Sequence, residues 1–258
     1  MNTAADPLMA LAARVDAIQP FHVMELVKEA QRLEAAGRDI IHMGIGEPDF
    51  TAPEPVVETV RARGGFTIVD EIYQGLSYDA PPASALSFGD DVVTVNSFSK
   101  YFNMTGWRLG WLVVPPALVG TFEKLAQNLF ICPSALAQHA ALACFEPAAL
   151  DIYETRRLEF KRRRDFIVPA LERLGFTVPV MPDGTFYVYA HCGGVAHAAA
   201  GDSAALTQAM LHDAGVVLVP GMDFGVHAPH DYIRLSYATA YPRLEEAVER
   251  LGRLFNLR

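Results

Sequence analysis

The segment that follows a short β-branched run near residue 95 carries residue types that are suited to chemistry. In this segment, "NSFSKYFNMTGWRLGW", two hydroxyls and an amine come together as Ser97, Ser99 and Lys100, and the guanidinium of Arg108 follows. The preceding run, "DVVTV", is typical of a buried strand. Because burying an ammonium is costly, Lys100 either reaches solvent at the end of the strand or is held inside for chemistry.

A second apolar run, "FTIVDEIY", ends in a carboxylate and a phenol, Asp70 and Tyr73. If the two runs are neighbouring parallel strands, these groups and segment 97–100 emerge at the edge where open α/β sheets bind ligands. Together with Arg108 they match the needs of pyridoxal phosphate. Its aldehyde needs an amine and its pyridine nitrogen needs an anion. Its phenolic oxygen needs a donor, and its phosphate needs hydroxyls and a guanidinium.

The first 116 residues combine predicted helices with strands. The spacing of apolar residues predicts a largely helical start, residues 1–37, that stops at Gly37. "RDIIHMGIGEPDF" predicts a strand that enters a glycine turn, and "PEPVVETVRARGG" predicts a short helix. Three continuous apolar runs are typical of strands covered on both faces of an α/β sheet: "FTIVDEIY", "DVVTVNSFSK" and "RLGWLVVP".

The pattern changes near residue 116. A long charged helix is predicted from about Asp151 to Leu174, and it ends at Gly175. "FTVPVMPDGTFYVYAHC" then predicts two strands around an Asp-Gly turn, and a helix follows near residues 203–214. The strands "VVLVP" and "YIRLSYA" precede a closing helix from Pro242. The chain is therefore predicted to join an α/β part to a C-terminal α+β part.

Composition narrows the class of protein. The 258 residues are 51% hydrophobic and 20% charged, an ordinary globular profile, and the net charge is −9. An acidic chain is unsuited to a general nucleic-acid or anionic-membrane surface. Neither a secretory signal nor an apolar run that could span a bilayer is recognised. The cysteines and the histidines show no metal-type spacing, so we expect no bound metal. The three cysteines, an odd number, indicate a reducing compartment, and we expect a cytoplasmic protein.

The motifs, taken in order, resemble those of the class I/II aminotransferases, which are fold-type-I pyridoxal-phosphate enzymes related to aspartate aminotransferase. A serine-x-serine-lysine followed by glycine-x-arginine is a specific signal when "DEIY" precedes it. The matching pieces extend over nearly the whole chain: "MGIGEPDF", "VDEIY", "NSFSKYFNMTGWRLGW", "DGTFY", "PGMDFG" and "YIRLSYA".

The resemblance implies roles for the cofactor site. Lys100 would be the Schiff-base lysine, Asp70 would pair with the pyridinium nitrogen, and Tyr73 would hydrogen-bond the phenolic oxygen. Ser97 and Arg108 would hold the phosphate.

Three further residues receive roles in the same way. Ser99 would assist with the phosphate, Gly46 would let its backbone approach the substrate carboxylate, and Arg234 would bind that carboxylate bidentately.

Each role has a simpler alternative. Lys100 could be a solvated lysine at a strand end, and Asp70 could serve a turn or cap a helix. Tyr73 could be a half-buried aromatic, Gly46 an ordinary turn glycine, and Arg234 a surface arginine on an edge strand. Taken singly these alternatives are favoured, but the joint order and spacing favour the site.

The resemblance has a gap near Val60–Gly65, between "PEPVVETV" and "RARGGFTIVDEIY". The family carries a long block of strand–helix units there, with a glycine/serine phosphate loop, an aromatic that stacks on the ring, and an asparagine for its phenolic oxygen. We therefore expect a truncated large domain with a mostly parallel sheet, and an apolar edge on "FTIVDEIY". The implied domains are an N-terminal arm with part of the small domain (1–50), the large-domain remnant (51–116), and the long helix with the small domain (117–258).

The implied function is a pyridoxal-phosphate-dependent aminotransferase that acts on an amino acid and a 2-oxo acid through Lys100, and that works as a homodimer. A pyridoxal-phosphate-dependent lyase would use the same lysine. The gap leaves a different class open: a non-catalytic remnant that associates with itself or with an intact relative.

Overall fold

The computed structural model describes residues 22–42, 67–80 and 83–256. The helices are α1 (His22–Ala35), α2 (Val119–Leu129), α3 (Ala135–Leu142), α4 (Pro147–Arg173), α5 (Ser203–Ala209) and α6 (Tyr241–Leu254). The strands are β1 (Ile41–His42), β2 (Thr67–Asp70), β3 (Val92–Ser97), β4 (Gly110–Val113), β5 (Tyr187–His191), β6 (Val216–Val217), β7 (Val219–Pro220) and β8 (Tyr232–Ser236). No helix in these ranges has the length and apolar character needed to cross a membrane.

The sheet that carries most of the predicted site has the strand order β2-β3-β4. β2 and β3 are parallel, with Asp70 opposite Val95, as the two apolar runs predicted. β3 and β4 are antiparallel, with Ser97 opposite Gly110, so parallel pairing accounts for only one side of β3. Glycine is required at position 110 because a Cβ there would lie 2.6 Å from the carbonyl oxygen of Asn96.

The prediction that all three apolar runs are covered on both faces is wrong for β4, and also for β2, where Ile68 is 63% exposed. Every residue of β4 is exposed, whereas Val92 and Val93 of β3 are each only 1% exposed. Helix α2 follows β4 along the chain and buries none of its own residues. β4 is therefore less covered than β3, although its Trp111 contacts the rings of Phe98 at 5.1 Å and Phe102 at 6.4 Å.

The C-terminal sheet is antiparallel, has the order β5-β8-β7, and packs against α4 and α6. Helix α4 begins at Pro147, earlier than predicted, and is followed by Gly175 at a φ of 94°, a conformation that favours glycine. The core between these elements includes Ile167, Leu171, Val188, Leu206, Ile233, Leu235, Leu244 and Leu251, each at most 1% exposed.

Residues 22–42 attach to this C-terminal part. β1 pairs in parallel with β6. Leu26, Ala30 and Leu33 recur at helical spacing, so they lie on one face of α1 and pack against Val217 and Val219. The predicted helical start is present as α1, and its stop at Gly37 has a φ of 86°. Residues 1–21 lie outside the described ranges.

The predicted pair of strands around Asp183-Gly184 is only half formed. The second run is β5, but the first contributes only an isolated bridge between Thr177 and His191. The turn pairs instead with the segment after β2: the Tyr78 amide donates to the Asp183 carbonyl at 2.7 Å, and the Thr185 amide donates to the Leu76 carbonyl at 2.9 Å. These long-range bonds satisfy the backbone groups that a hairpin would have used.

Candidate active site

The segment after β3 is a turn built by hydroxyl groups. Ser97 Oγ lies 2.9 Å from Ser99 Oγ and accepts a hydrogen bond from the Ser99 amide at 3.0 Å. Thr105 Oγ1 donates to the Ser99 carbonyl at 2.7 Å and closes the turn from the other side. The structure thus places the two predicted serine hydroxyls side by side, immediately before Lys100.

Lys100 is half-buried and faces aromatic rings. Its Nζ lies 5.7 Å from the ring centroid of Tyr73 and 5.7 Å from that of Phe186. Tyr73 is 9% exposed and makes edge-on contacts with the rings of Phe186 at 5.9 Å and Tyr187 at 6.1 Å. The ammonium is therefore at the rim of an aromatic cluster, defined here as Tyr73, Phe186 and Tyr187, and it interacts with the faces of two rings.

Arg108 is connected to the serine turn through Thr105. Its backbone is left-handed, with φ 53° and ψ 50°, directly after the 3₁₀ turn Thr105–Trp107. Its Nη1 donates to the Thr105 carbonyl at 3.0 Å, and the side chain is exposed. The guanidinium is thus near the turn and open to solvent.

Asp70 ends β2 and is exposed. Its Oδ1 accepts a hydrogen bond from the Ile72 amide at 3.0 Å, which is an aspartate turn of the kind that the simpler alternative describes. The parallel pairing with β3 brings the backbone of Asp70 to the same sheet edge as the serine turn.

Glu71, which sequence reasoning did not select, is the buried acid of this strand end. It is 7% exposed and accepts hydrogen bonds from Ser84 Oγ at 3.0 Å and from the Ala85 amide at 2.6 Å. The 3₁₀ turn Ala85–Phe88 is held in this way against the end of β2. "DEIY" contains this residue, but a glutamate in a sequence gives no sign that its carboxylate will be buried.

Arg234 lies on β8, the central strand of its sheet, and is 2% exposed. The alternative of a surface arginine on an edge strand is therefore wrong. Its guanidinium carbon lies 3.9 Å from the ring centroid of Phe224 and 5.1 Å from that of Tyr187. Because Tyr187 also belongs to the aromatic cluster, Lys100 and Arg234 both contact rings of this cluster.

Phe186, Tyr187 and Phe224 were also missed as individual residues. They occur in the quoted motifs "DGTFY" and "PGMDFG", so the signal was present without a role. Gly46 and the join near Val60–Gly65 lie outside the described ranges, and their predictions stay predictions.

The pKa of Tyr101, the residue next to Lys100, is raised. Burial and a 2.7 Å hydrogen bond to Glu154 raise the pKa of Tyr101 to about 12. The ring of Tyr101 lies under Gly75, where a Cβ would come within 2.7 Å of it. Tyr101 is thus neutral at physiological pH and ties the segment after Lys100 to α4.

The donor set suits pyridoxal phosphate. A half-buried amine next to a tyrosine fits the aldehyde and phenolic oxygen. Adjacent serine hydroxyls with a nearby guanidinium fit a phosphate. The exposed carboxylate at the end of β2 is an anion at the same edge of the sheet. The described residues therefore fit this cofactor by chemical type.

Comparison with known proteins gives a consistent result. The family model described as aminotransferase class I and II matches residues 48–251. The valine–pyruvate aminotransferase of Mycobacterium tuberculosis is 37% identical over 72% of this chain and 47% of its own length. A (5-formylfuran-3-yl)methyl phosphate transaminase of Methanocaldococcus jannaschii is 34% identical over 74% of this chain and 50% of its own length. The chain thus spans about half the length of the curated relatives it matches.

Solved structures agree on the fold. The aromatic aminotransferase of Pyrococcus horikoshii is 35% identical, with a TM-score of 0.71 over 79% of this chain and 54% of that chain. An aminotransferase of Mycobacterium tuberculosis is 33% identical, with a TM-score of 0.73 over 88% of this chain and 60% of that chain. The aspartate aminotransferase of Thermotoga maritima is 22% identical, with a TM-score of 0.78 over 95% of this chain and 100% of that chain, which shows the shared fold alone.

Proposed function

Because the chain belongs to the class I and II aminotransferase family, whose enzymes use pyridoxal phosphate, we propose that it transfers an amino group between an amino acid and a 2-oxo acid, with the cofactor held on Lys100. One observation carries the proposal. The amine of Lys100 lies 5.7 Å from the Tyr73 ring at the end of a parallel strand pair, directly after two adjacent serine hydroxyls.

Different residues at the strand ends would bind different groups of the cofactor. When bound, pyridoxal phosphate supplies an electron sink for the substrate carbon. Ser97, Ser99 and Arg108 would hold its phosphate through hydroxyl and guanidinium donors. Tyr73 would donate its hydroxyl to the phenolic oxygen, and Asp70 would hold a proton on the pyridine nitrogen.

The residues that act on the substrate are fewer. Lys100 Nζ would accept the proton from the substrate α-carbon and return it, the role of a general base and acid. Arg234 would bind the substrate carboxylate with its planar guanidinium, and the backbone at Gly46 would approach the same group. The half-buried setting of Lys100 limits water at the amine.

A homodimer is part of the proposal. Large apolar side chains are exposed on β4, on α2 and in the segment after α2, among them Leu112, Leu125, Leu129, Phe130 and Ile131. Exposed apolar side chains in neighbouring segments support an interaction surface there. We also propose a cytoplasmic location, which the free thiols of Cys132, Cys144 and Cys192 support.

The test exploits the four lysines of the chain, Lys28, Lys100, Lys124 and Lys161. Purified protein is mixed with pyridoxal phosphate, its visible absorbance is recorded, and borohydride then fixes the cofactor to the amine that holds it. Peptide mapping should find the label on Lys100. The Lys100→Ala variant should lose the label and Lys124→Ala, an exposed control, should keep it. A label spread over the other lysines would overturn the proposal.

A second candidate is a non-catalytic protein that associates with itself or with an intact relative. The exposure of β4 favours it, because Trp111, Leu112 and Val113 are 37%, 48% and 39% exposed and present apolar surface to a partner. The borohydride experiment separates the two candidates. Absence of any label together with stable self-association would favour the non-catalytic one.

A further inference from the structure

The guanidinium of Arg234 contacts two aromatic rings. Its central carbon is 3.9 Å from the centroid of Phe224 and 5.1 Å from that of Tyr187. Arg234 is 2% exposed and Tyr187 is 6% exposed, whereas Phe224 is half-buried, so the guanidinium itself is largely shielded from water. Cation–π contacts are strongest when water is excluded. We call the rings of Phe224 and Tyr187 the aromatic clamp.

The strand alternation of β8 brings Arg234 to this place. Ile233 and Leu235 are 0% exposed and point into the C-terminal core, so Arg234 points to the opposite face of the sheet. The two neighbouring strands place Tyr189 of β5 and Val219 of β7 beside it in register. The backbone of the arginine is thus fixed from both sides.

The turn after β7 positions Phe224. The Phe224 amide donates to the Gly221 carbonyl at 2.9 Å and closes the 3₁₀ turn Gly221–Asp223. A Cβ at Gly221 would lie 2.5 Å from the hydroxyl of Tyr189 and 2.7 Å from the carbonyl of Pro229, so only glycine fits there. The ring of Phe224 also contacts Tyr189 edge-on at 6.4 Å. Phe224 is therefore held over the guanidinium by its own turn and by a neighbouring ring.

We infer that Phe224 and Tyr187 are positioning residues that fix the plane of the Arg234 guanidinium for a ligand carboxylate. An aromatic ring packed against a guanidinium blocks that face, and the guanidinium N–H groups donate within its plane. A carboxylate that binds bidentately needs that plane to be fixed, because both N–H···O bonds lie in it. The inference rests on the proposed function, in which Arg234 binds the substrate carboxylate, and it adds the groups that orient the arginine.

Nuclear magnetic resonance of the arginine side chain tests the clamp directly. The Nε–Hε and Nη–Hη signals of Arg234, assigned by their loss in Arg234→Lys, should show slow rotation about the Nε–Cζ bond. Phe224→Leu removes the ring face, so rotation of the Arg234 guanidinium should become fast, whereas Phe224→Tyr should restore slow rotation. Fast rotation already in the unchanged protein would overturn the inference.

The matched control is Tyr241→Leu. It removes another cation–π contact of similar length, which joins α4 to α6: the Arg162 guanidinium carbon lies 3.8 Å from the centroid of the Tyr241 ring. This variant should free Arg162 and leave the rotation of Arg234 unchanged. An equal change at Arg234 in both variants would mean a general loosening of the fold, which contradicts a local clamp.

Ligand binding supplies the second measurement, with pyruvate as the probe and its methyl ester as the probe without a carboxylate. Pyruvate should shift the Arg234 signals, and its affinity should fall about tenfold in Phe224→Leu. The affinity should recover in Phe224→Tyr, and the ester should shift nothing. Absence of a pyruvate-induced shift, or equal affinity in Phe224→Leu, would overturn the inference.

The two proposals fail separately. Loss of the Lys100 label would count against the proposed function and leave the rotation measurement intact. Fast rotation with normal labelling would count against the clamp alone.

Discussion

Arg164 of the long helix α4 donates a hydrogen bond from Nη1 to Oδ2 of Asp79 at 2.9 Å. The same nitrogen donates to the Pro182 carbonyl at 2.7 Å, and Lys161 Nζ lies 2.8 Å from the other oxygen of Asp79. Asp79 follows β2, Pro182 precedes β5, and both cations are on α4. One carboxylate thus connects the site-bearing sheet to the helix that supports the C-terminal sheet.

The first prediction concerns the pH dependence of stability. Hydrogen bonds from Lys161 and Arg164 lower the pKa of Asp79 to about 2, below its unfolded value of 3.8. A depressed carboxyl pKa stabilises the fold above the unfolded value, and this contribution is lost as the pH falls through the folded value. Asp79→Asn should therefore lower the Tm at neutral pH. The Tm difference from the unchanged protein should shrink as the pH falls from 3.8 through about 2.

Thermal unfolding followed by circular dichroism measures this difference. Asp213→Asn, at an exposed aspartate of the segment Met210–Ala214, is the control and should change the Tm little at any pH. A Tm difference for Asp79→Asn that stays constant down to pH 2 would contradict the assignment.

The second prediction concerns the buried carboxylate of Glu71. Replacement by alanine leaves Ser84 Oγ and the Ala85 amide without this acceptor, and removing the partner of a buried polar group costs about 1–3 kcal/mol. Glu71→Gln keeps one acceptor oxygen and should lose less of the free energy of unfolding. Urea unfolding measures both values, with the exposed Glu123→Gln of α2 as the control. Equal losses for the alanine and glutamine variants would contradict an acceptor role.

The third prediction separates cofactor capture from proton transfer. Asp70→Ala leaves the amine of Lys100 in place, so borohydride labelling should persist. Without the anion, a proton on the pyridine nitrogen is less stable, and exchange of the substrate α-hydrogen with deuterated solvent should slow by about a hundredfold or more. Asp70→Glu keeps the carboxylate and should retain part of the rate. Full exchange in Asp70→Ala would show that Asp70 serves only its turn with Ile72.

The fourth prediction concerns self-association. Leu129 and Ile131 are 76% and 78% exposed, and burying one such side chain in an interface contributes about 1.5–3 kcal/mol. Ile131→Glu should therefore weaken association about tenfold or more in sedimentation velocity. Val226→Glu is the matched control, because Val226 is 99% exposed in a separate loop and should leave the association constant unchanged. Unchanged association in Ile131→Glu would place the interface elsewhere.

The sequence predicted what depends on local order. The parallel pairing of β2 with β3 follows from two continuous apolar runs, and the closeness of Ser97 and Ser99 to Lys100 follows from their positions in one short segment. The long helix and its glycine stop were also recognised, because periodicity and glycine are local signals.

Long-range contacts could not be predicted in the same way. The ring of Phe186 meets Lys100, and Phe224 meets Arg234, only after the sheets are in place. The exposure of β4 was also missed, because an apolar run predicts burial and contains no information about whether a covering layer is present. Glu71 was missed for the opposite reason, since its burial depends on Ser84 and Ala85 across a turn.

The pairing of Leu76 and Tyr78 with Asp183 and Thr185 affects how the protein unfolds. These bonds join residues that are far apart along the chain, so they form only after a long loop has closed. They join the segment after β2 to the turn before β5, so the two parts cannot separate at this contact without breaking them. Denaturation should then be all-or-none across both sheets. A chain cut once by a protease in the exposed stretch around α2 should stay together as two fragments until it unfolds.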